Sequence, residues 1–148
     1  MVKTIAKGHS SRLRVVDVMT REPFTVTAMD AIGEADDLMS QNKIRQLPVV
    51  KGKELVGIIT DRDIRSFLSG SLLASPDQRE VALKTRIREI MTSEPITVSP
   101  DDDLEEVVEI LIEEKVGGIP VVDETEGLVG IVTYVDVLRC FLNRLQEE

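Results

Sequence analysis

Apolar positions along the chain switch between helix-like and strand-like spacing, in the same order twice. Each half first shows apolar residues three and four positions apart, which predicts a helix with one buried face: Ile32, Ala35, Leu38 and Met39, then Leu104, Val107, Val108 and Leu111. Two β-branched runs follow in each half and predict strands at residues 47–50 and 55–60, and at 119–122 and 128–133. A second amphipathic helix closes each half, marked by Ile64, Phe67 and Leu68 and by Val137, Leu138 and Phe141.

The segment that leads into each half is predicted as a short helix, a turn and a brief strand. The two brief strands are expected at residues 24–26 and 96–98. In the second half, Ser99 is a favourable N-cap, Pro100 suits a first helical position, and the acids at 101–103 complement the positive end of a helix. Each half is therefore predicted to follow the order β-α-β-β-α.

The two halves are copies of one another. "VMTREPFTV" at residues 18–26 returns as "IMTSEPITV" at 90–98, and residues 17–50 and 89–122 are identical at 12 of 34 positions. "LVGIITDRDI" at 55–64 returns as "LVGIVTYVDV" at 128–137. Repetition of this kind indicates a duplicated structural unit.

The duplication predicts an α+β fold with mixed sheets, in which two β-α-β-β-α units pack by pseudo-twofold symmetry. A unit of about 55 residues with three strands cannot bury both faces of its sheet alone. The expected organisation is a flexible N-terminus at 1–13, a first motif at 14–70, a linker at 71–86 with a short helix near 80–84, and a second motif at 87–146.

Composition narrows the class of protein. With 42% hydrophobic and 30% charged residues, the chain is typical of a soluble globular protein, and no apolar run approaches the roughly 20 residues that span a bilayer. A single cysteine, Cys140, excludes an intrachain disulfide and favours a reducing cytoplasm. His9 stands alone, so no metal site is predicted. The chain carries neither a Ser/His/Asp set nor a "GxxxxGK[ST]" motif, which predicts a protein that is not an enzyme.

Charge is distributed unevenly within the net charge of −9. Residues 1–74 carry 11 Lys and Arg against 9 Asp and Glu, whereas residues 75–148 carry 7 against 18. An acidic protein is a poor general binder of nucleic acid, because affinity for nucleic acid comes from neutralising phosphates. The first half is nevertheless free to accept a small anion.

Each half repeats the tetrapeptide Thr-x-x-Asp after its last strand, as Thr60 to Asp63 and Thr133 to Asp136. This spacing is typical of a capping box, in which the two side chains satisfy backbone groups at a helix start. The same groups have a second use, because a hydroxyl can bond a phosphate and a carboxylate can accept both hydroxyls of a ribose. Both interpretations stay open on the tetrapeptide alone.

Taken in order and twice, the motifs "VMT…P-TV", "LPVV" or "IPVV" and "G-I-[IV]-T-x-x-D" resemble a tandem pair of CBS (cystathionine β-synthase-type) motifs, a Bateman module, over about residues 14–145. The resemblance implies a stand-alone, non-catalytic regulatory module. It implies an adenosine-derived ligand such as AMP, ADP or ATP in clefts between the halves, with the nucleotide acting as a regulatory ligand rather than a catalytic cofactor. It also implies a homodimer.

The resemblance assigns roles to residues of this sequence. The ribose would be held by Asp63 and Asp136, and the phosphate by Thr60, Arg62, Arg45, Gln46 and Thr133. The base would lie in a slot formed by Thr25, Val26, Pro48, Thr97, Val98, Gly118 and Pro120, and fixed by backbone groups near residues 25–26 and 97–98.

The two copies differ at the phosphate positions. The first has Arg45, Gln46 and Arg62, with Lys43 and Arg65 nearby; the second has the uncharged residues Gly117, Gly118, Tyr134 and Val135. We therefore expect the first site to prefer a phosphorylated ligand. The second would take a less charged ligand, borrow cations from the other half, or stay empty.

Two other functions compete with a nucleotide sensor. A ligand-free module for dimerisation or docking would need the fold but not the ligand groups, and a sensor of S-adenosylmethionine or NAD would use the same clefts. The presence of Thr and Asp in both copies favours a ligand-binding module over pure assembly.

Overall fold

The protein, described here by a computed structural model over residues 12–70 and 75–147, folds as two similar halves joined by a helical linker. The first half contains α1 (Val15–Val18), β1 (Thr20–Arg21), α2 (Ile32–Asn42), β2 (Gln46–Lys51), β3 (Glu54–Thr60) and α3 (Asp61–Ser69). The linker holds α4 (Pro76–Ala82), which begins four residues before the predicted helix, and a 3-10 turn at Ile87–Glu89 follows it at the start of the second half. The second half contains β4 (Thr92–Ser93), α5 (Leu104–Glu114), β5 (Gly118–Asp123), β6 (Gly127–Thr133) and α6 (Tyr134–Gln146). The predicted class of mixed helices and small sheets is confirmed.

Each sheet takes one short strand from the other half. The sheets have the orders β2-β3-β4 and β1-β6-β5, so β4 pairs with β3 and β1 pairs with β6. The approach is so close at Gly57 and Gly130 that a Cβ there would lie 2.8 Å from a carbonyl oxygen of the incoming strand, that of Thr92 or of Thr20. Gly57 is therefore required by packing, because any side chain at this position would push the exchanged strand away.

The strands predicted at residues 24–26 and 96–98 are wrong. Val26 and Val98 each form only an isolated parallel bridge, to Val49 and Val121. The short strands lie a few residues earlier, at β1 and β4, where the partner strand comes from the opposite half. A partner distant in sequence leaves no local pattern from which to predict the pairing.

The second long helix begins at Leu104 rather than after Ser99. Residues 100–103 instead bond to the N-terminal segment: Val15 N–H donates to the Asp102 carbonyl at 2.9 Å, and Arg12 Nη1 donates to Asp103 Oδ2 at 2.6 Å. These tertiary contacts outcompete the local helix-start signal.

Two hydrophobic cores mirror the exchange of strands. The first contains the buried residues of α2, β2, β3 and α3 together with Ile87 from beyond the linker. The second contains those of α5, β5 and β6 together with Val15 and Met19 from the N-terminal segment. Each core is therefore completed by a segment from the other half.

The closing helices of the two halves differ in burial. Ile64 and Leu68 of α3 are buried as their pattern predicts, whereas Phe67 is 39% exposed. On α6 the expected apolar positions Leu138 and Phe141 are instead 57% and 59% exposed. With Leu142 and Leu145 they form an exposed apolar stripe on this helix, which we call the α6 face.

The turn between β5 and β6 is stabilised by Asp123. Its Oδ1 accepts hydrogen bonds from the Thr125 N–H at 2.9 Å, the Thr125 hydroxyl at 2.8 Å and the Glu126 N–H at 3.1 Å. These bonds, led by that from the Thr125 N–H, favour the ionised carboxylate and hold the pKa of Asp123 below its ordinary value.

Candidate functional site

A cavity of about 330 Å³ lies between the two halves, within the size range of small-ligand sites. The first half contributes the end of α2, the start of β2 and the region after α1: Thr20, Pro23, Phe24, Asn42, Lys43, Ile44, Arg45 and Gln46. The second half contributes the end of β6 and the first turns of α6: Ile131, Thr133, Tyr134, Val135, Asp136 and Arg139. A ligand in this cavity would contact both halves at once.

The start of α6 is a complete capping box. Thr133 Oγ1 accepts from the Asp136 N–H at 3.3 Å, and Asp136 Oδ2 accepts from the Thr133 N–H at 2.8 Å. Thr133 Oγ1 also donates to Asp136 Oδ2 at 3.1 Å. The Thr133 hydroxyl therefore points its proton at Asp136, and it would have to rotate before it could donate to a phosphate.

Asp136 has a second set of partners through its other oxygen. Its Oδ1 accepts from the Thr20 hydroxyl at 2.9 Å and lies 3.6 Å from Arg139 Nη1. The residue is only 7% exposed, and these contacts compensate for burying its charge. Oδ1 has room for one further donor, whereas a second ligand hydroxyl would have to displace Thr20.

Three cationic side chains line the same cavity: Lys43, Arg45 and Arg139. Lys43 ends α2 in the left-handed backbone region, with φ of 55°. Arg45 Nη1 also lies 3.9 Å from Asp61 Oδ2, with the Arg45 side chain mostly exposed. Because the one lining carboxylate, Asp136, is already bonded, the cavity favours an anion.

Gln46 lies where the two copies meet. A Cβ at Gly117 would lie 2.9 Å from Gln46 Oε1, and one at Gly118 would lie 3.1 Å from Gln46 Cδ. The paired glycines of the second copy thus make room for the glutamine of the first. Of the residues expected to hold a ligand, the structure brings together Arg45, Gln46, Thr133 and Asp136 in this cavity.

The first copy of the tetrapeptide forms the same capping box but does not line this cavity. Thr60 Oγ1 accepts from the Asp63 N–H at 3.0 Å, and Asp63 Oδ2 accepts from the Thr60 N–H at 2.9 Å. Within residues 12–70 and 75–147, Asp63 Oδ1 accepts no hydrogen bond comparable to that from Thr20. Arg62 is exposed on α3 and lies outside the cavity lining.

The residues expected to form the base slot lie away from the cavity lining. Pro48 and Pro120 are buried in their strands. The Val26 N–H donates to the Pro48 carbonyl at 3.1 Å and the Val26 carbonyl accepts from Val50 at 2.9 Å; Val98 repeats this with Pro120 and Val122. These valine backbone groups are therefore already used, and Gly118 is paired with Thr133 in the β5–β6 hairpin.

Sequence reasoning did not assign ligand roles to Thr20, Phe24 or Arg139, which line the cavity. Thr20 and Phe24 lie within the duplicated "MTREPFTV" stretch, so the repetition itself was a usable signal. Arg139 follows Asp136 by three residues on α6, a spacing that places both side chains on one helix face.

Two further searches cover the described part of the chain only. There, no group of three or more His, Cys, Asp or Glu side chains is arranged to hold a metal ion. Nor is any helix in those residues both long and apolar enough to cross a membrane. His9 lies outside the described residues.

The chain belongs to the CBS domain family, whose pattern it matches at residues 15–70 and 87–143. A curated relative, the inosine-5′-monophosphate dehydrogenase of Korarchaeum cryptofilum, is 37% identical over 124 residues, which are 84% of this chain. The chain spans only 23% of the length of that enzyme.

Two solved CBS structures have a similar fold. The CBS domain pair of protein MJ0100, in complex with 5′-methylthioadenosine and S-adenosyl-L-methionine, has a TM-score of 0.76 at 32% identity and covers 90% of this chain and 98% of its own. CBSX2 in complex with AMP has a TM-score of 0.75 at 28% identity, covering 88% of this chain and 96% of its own. The predicted tandem CBS pair is therefore confirmed.

Proposed function

We propose that this protein is a non-catalytic sensor that binds an adenine nucleotide, AMP, ADP or ATP, in the cavity between its halves. The observation that carries the proposal is a cavity that combines the Thr133 and Asp136 helix start of one half with cationic side chains of the other. The ligands in the MJ0100 and CBSX2 complexes are adenosine derivatives, which supports the same ligand class here.

The proposal places the phosphate in the cavity of the second copy, beside Lys43 and Arg45. This reverses the expectation that the first copy prefers the phosphorylated ligand. It adopts the alternative in which the second copy borrows cations from the other half. The ribose would meet Asp136, whose Oδ1 can accept one more hydrogen bond.

Binding would regulate by joining the halves. A ligand that contacts Arg45 and Asp136 would bridge the two halves. It would change their relative position only if it binds one arrangement of the halves more tightly than another. The output would be a change of conformation or of affinity for a partner protein. We also propose a homodimer, because the α6 face exposes a continuous apolar stripe that a second copy can cover.

Calorimetric titration with AMP, ADP, ATP, adenosine, NAD and S-adenosylmethionine tests the ligand class. We expect the phosphorylated adenosines to bind more tightly than adenosine. The Arg45→Ala variant should weaken AMP binding about 10- to 100-fold, since a charged hydrogen bond contributes about 1.5–3 kcal/mol. The matched control is Arg62→Ala, an exposed arginine outside the cavity, which should leave AMP affinity within about twofold.

Three results would overturn parts of this proposal. No binding of any of these compounds would favour the ligand-free assembly module. Tightest binding of S-adenosylmethionine or NAD would replace the adenine nucleotide by one of those ligands. A loss of AMP affinity in Arg62→Ala but not in Arg45→Ala would return the phosphate to the first copy.

A further inference from the structure

Aromatic side chains are scarce in this protein and two of them face the same cavity. The chain has three phenylalanines, one tyrosine and no tryptophan. Phe24 of the first half and Tyr134 of the second half both line the cavity, and they are 51% and 41% exposed. Neither belongs to the buried residues of the two cores. Both side chains therefore keep accessible surface at the cavity wall.

Half-exposed aromatic rings on a cavity wall favour a flat, apolar partner. Contact with another ring stabilises such side chains, because stacking removes apolar surface from water and suits the charge distribution of the rings. A cation over the ring face is the other common partner of an aromatic side chain. The lining residues Lys43, Arg45 and Arg139 disfavour a cation here, since the single lining carboxylate is already engaged with Thr20 and Thr133.

The two pseudo-equivalent sites differ in their aromatic residues. The position equivalent to Phe24 in the second half is Ile96, and the position equivalent to Tyr134 in the first half is Asp61. The pseudo-equivalent place beside Thr60 and Asp63 therefore lacks both rings. It carries a carboxylate, Asp61, where the cavity has a tyrosine.

We infer that Phe24 and Tyr134 are the residues that bind the planar ring of the ligand, and that they restrict ring binding to one of the two pseudo-equivalent sites. This inference rests on the proposed function and names the part of the cavity that recognises the base. The proposed ring contact involves one residue from each half. The proposed phosphate and ribose contacts likewise come from different halves. The base position thus differs from the slot expected near residues 25–26 and 97–98.

Tyr134 supplies its own reporter, because it is the only tyrosine in a chain without tryptophan. We expect AMP to change the intrinsic tyrosine fluorescence in a saturable manner. Ribose 5-phosphate, which has the same sugar and phosphate but no ring, should leave this signal unchanged and bind about tenfold more weakly, because it lacks the stacking contribution. The Tyr134→Phe variant should keep AMP affinity by calorimetry while losing the fluorescence signal.

Exchange of residues between the two copies tests whether Phe24 and Tyr134 restrict ring binding to one site. Phe24→Ile introduces the uncharged residue of the other copy and should weaken AMP binding about tenfold while leaving ribose 5-phosphate binding within about twofold. Tyr134→Asp also adds a carboxylate to the cavity, so it should weaken both anionic ligands, and AMP more than ribose 5-phosphate. Ile96→Ala is the matched control and should change neither. Equal affinity for AMP and ribose 5-phosphate, or unchanged AMP affinity in both exchange variants, would overturn the inference alone. Absence of binding of AMP, ADP and ATP to the unaltered protein would overturn the proposed function and this inference with it.

Discussion

Asp63 and Asp136 occupy equivalent places in two nearly identical capping boxes, yet their surroundings differ. Both accept the N–H of the threonine three residues before them, at 2.9 Å and 2.8 Å. Only Asp136 also accepts from a threonine hydroxyl of the exchanged strand, that of Thr20 at 2.9 Å. The capping interpretation therefore holds for both copies, and the additional bond makes Asp136 a link between the halves.

We predict that Thr20→Val destabilises the protein by about 1.5 kcal/mol, because the variant keeps its shape and loses one hydrogen bond to a buried carboxylate. Under the proposed function, the same variant should bind AMP more tightly, since a ribose hydroxyl no longer competes with Thr20 for Oδ1. Urea unfolding and calorimetric titration measure the two effects.

Thr92→Val provides the control for this prediction. Thr92 is the equivalent residue on β4, and among residues 12–70 and 75–147 it makes no hydrogen bond to Asp63. Its substitution should change stability by less than about 0.5 kcal/mol. Equal destabilisation in the two variants would contradict the role given to the Thr20 bond.

At this scale, the sequence indicated the residue types well and their grouping poorly. Arg45 and Gln46 were singled out beside the strand they begin, and the cavity contains both. They lie there with Thr133 and Asp136, about ninety residues away, because the starts of β2 and β5 meet at Gln46 and Gly118. Periodicity and motif spacing describe one half at a time, so they cannot predict a contact between strands of different halves.

The long helices and paired strands are the elements that local pattern predicted correctly. The buried residues Ile32, Ala35 and Met39 of α2 follow the predicted helical spacing. The hairpins β2–β3 and β5–β6 also match, since their polar turns and β-branched runs are local signals. The two-residue strands were missed, because their only pairing is with the opposite half.

The closing helices differ between the two copies in the polarity of their exposed side. At the position of Leu138 on α6, α3 carries Arg65, and at the positions of Tyr134 and Val135 it carries Asp61 and Arg62. One helix is thus polar on the side where the other is apolar. This difference supports the α6 face as the surface of the proposed homodimer.

We predict that Leu138→Glu converts the proposed dimer into a monomer, because it places a charge on the exposed α6 face. Sedimentation velocity at micromolar concentration measures the change in mass. Arg65→Glu, at the equivalent exposed position of α3, is the matched control and should leave the dimer intact. A protein that is already monomeric, or a Leu138→Glu variant that stays dimeric, would remove the proposed interface.

In the whole molecule, reciprocal exchange ties the two halves into one folding unit. Ile32 N–H donates to the Thr85 carbonyl at 2.8 Å, and Leu104 N–H donates to the Leu13 carbonyl at 3.0 Å. In each case the segment that precedes one half supplies the bond to the other. A duplicated sequence therefore need not form two independent domains, and here neither core is complete without residues from both halves.

Ile87 is the first residue of the second half in sequence, and it is fully buried in the core of the first half. We predict that Ile87→Ala lowers the free energy of unfolding by about 2–5 kcal/mol, the usual cost of truncating a buried isoleucine. Because the halves share their cores, circular dichroism and the fluorescence of Tyr134, which lies in the second half, should shift to the same lower denaturant midpoint. Val15→Ala, the reciprocal truncation in the second core, should also move both signals together. Two separate transitions, with the tyrosine signal unmoved in Ile87→Ala, would show instead that the halves unfold independently despite the exchanged segments.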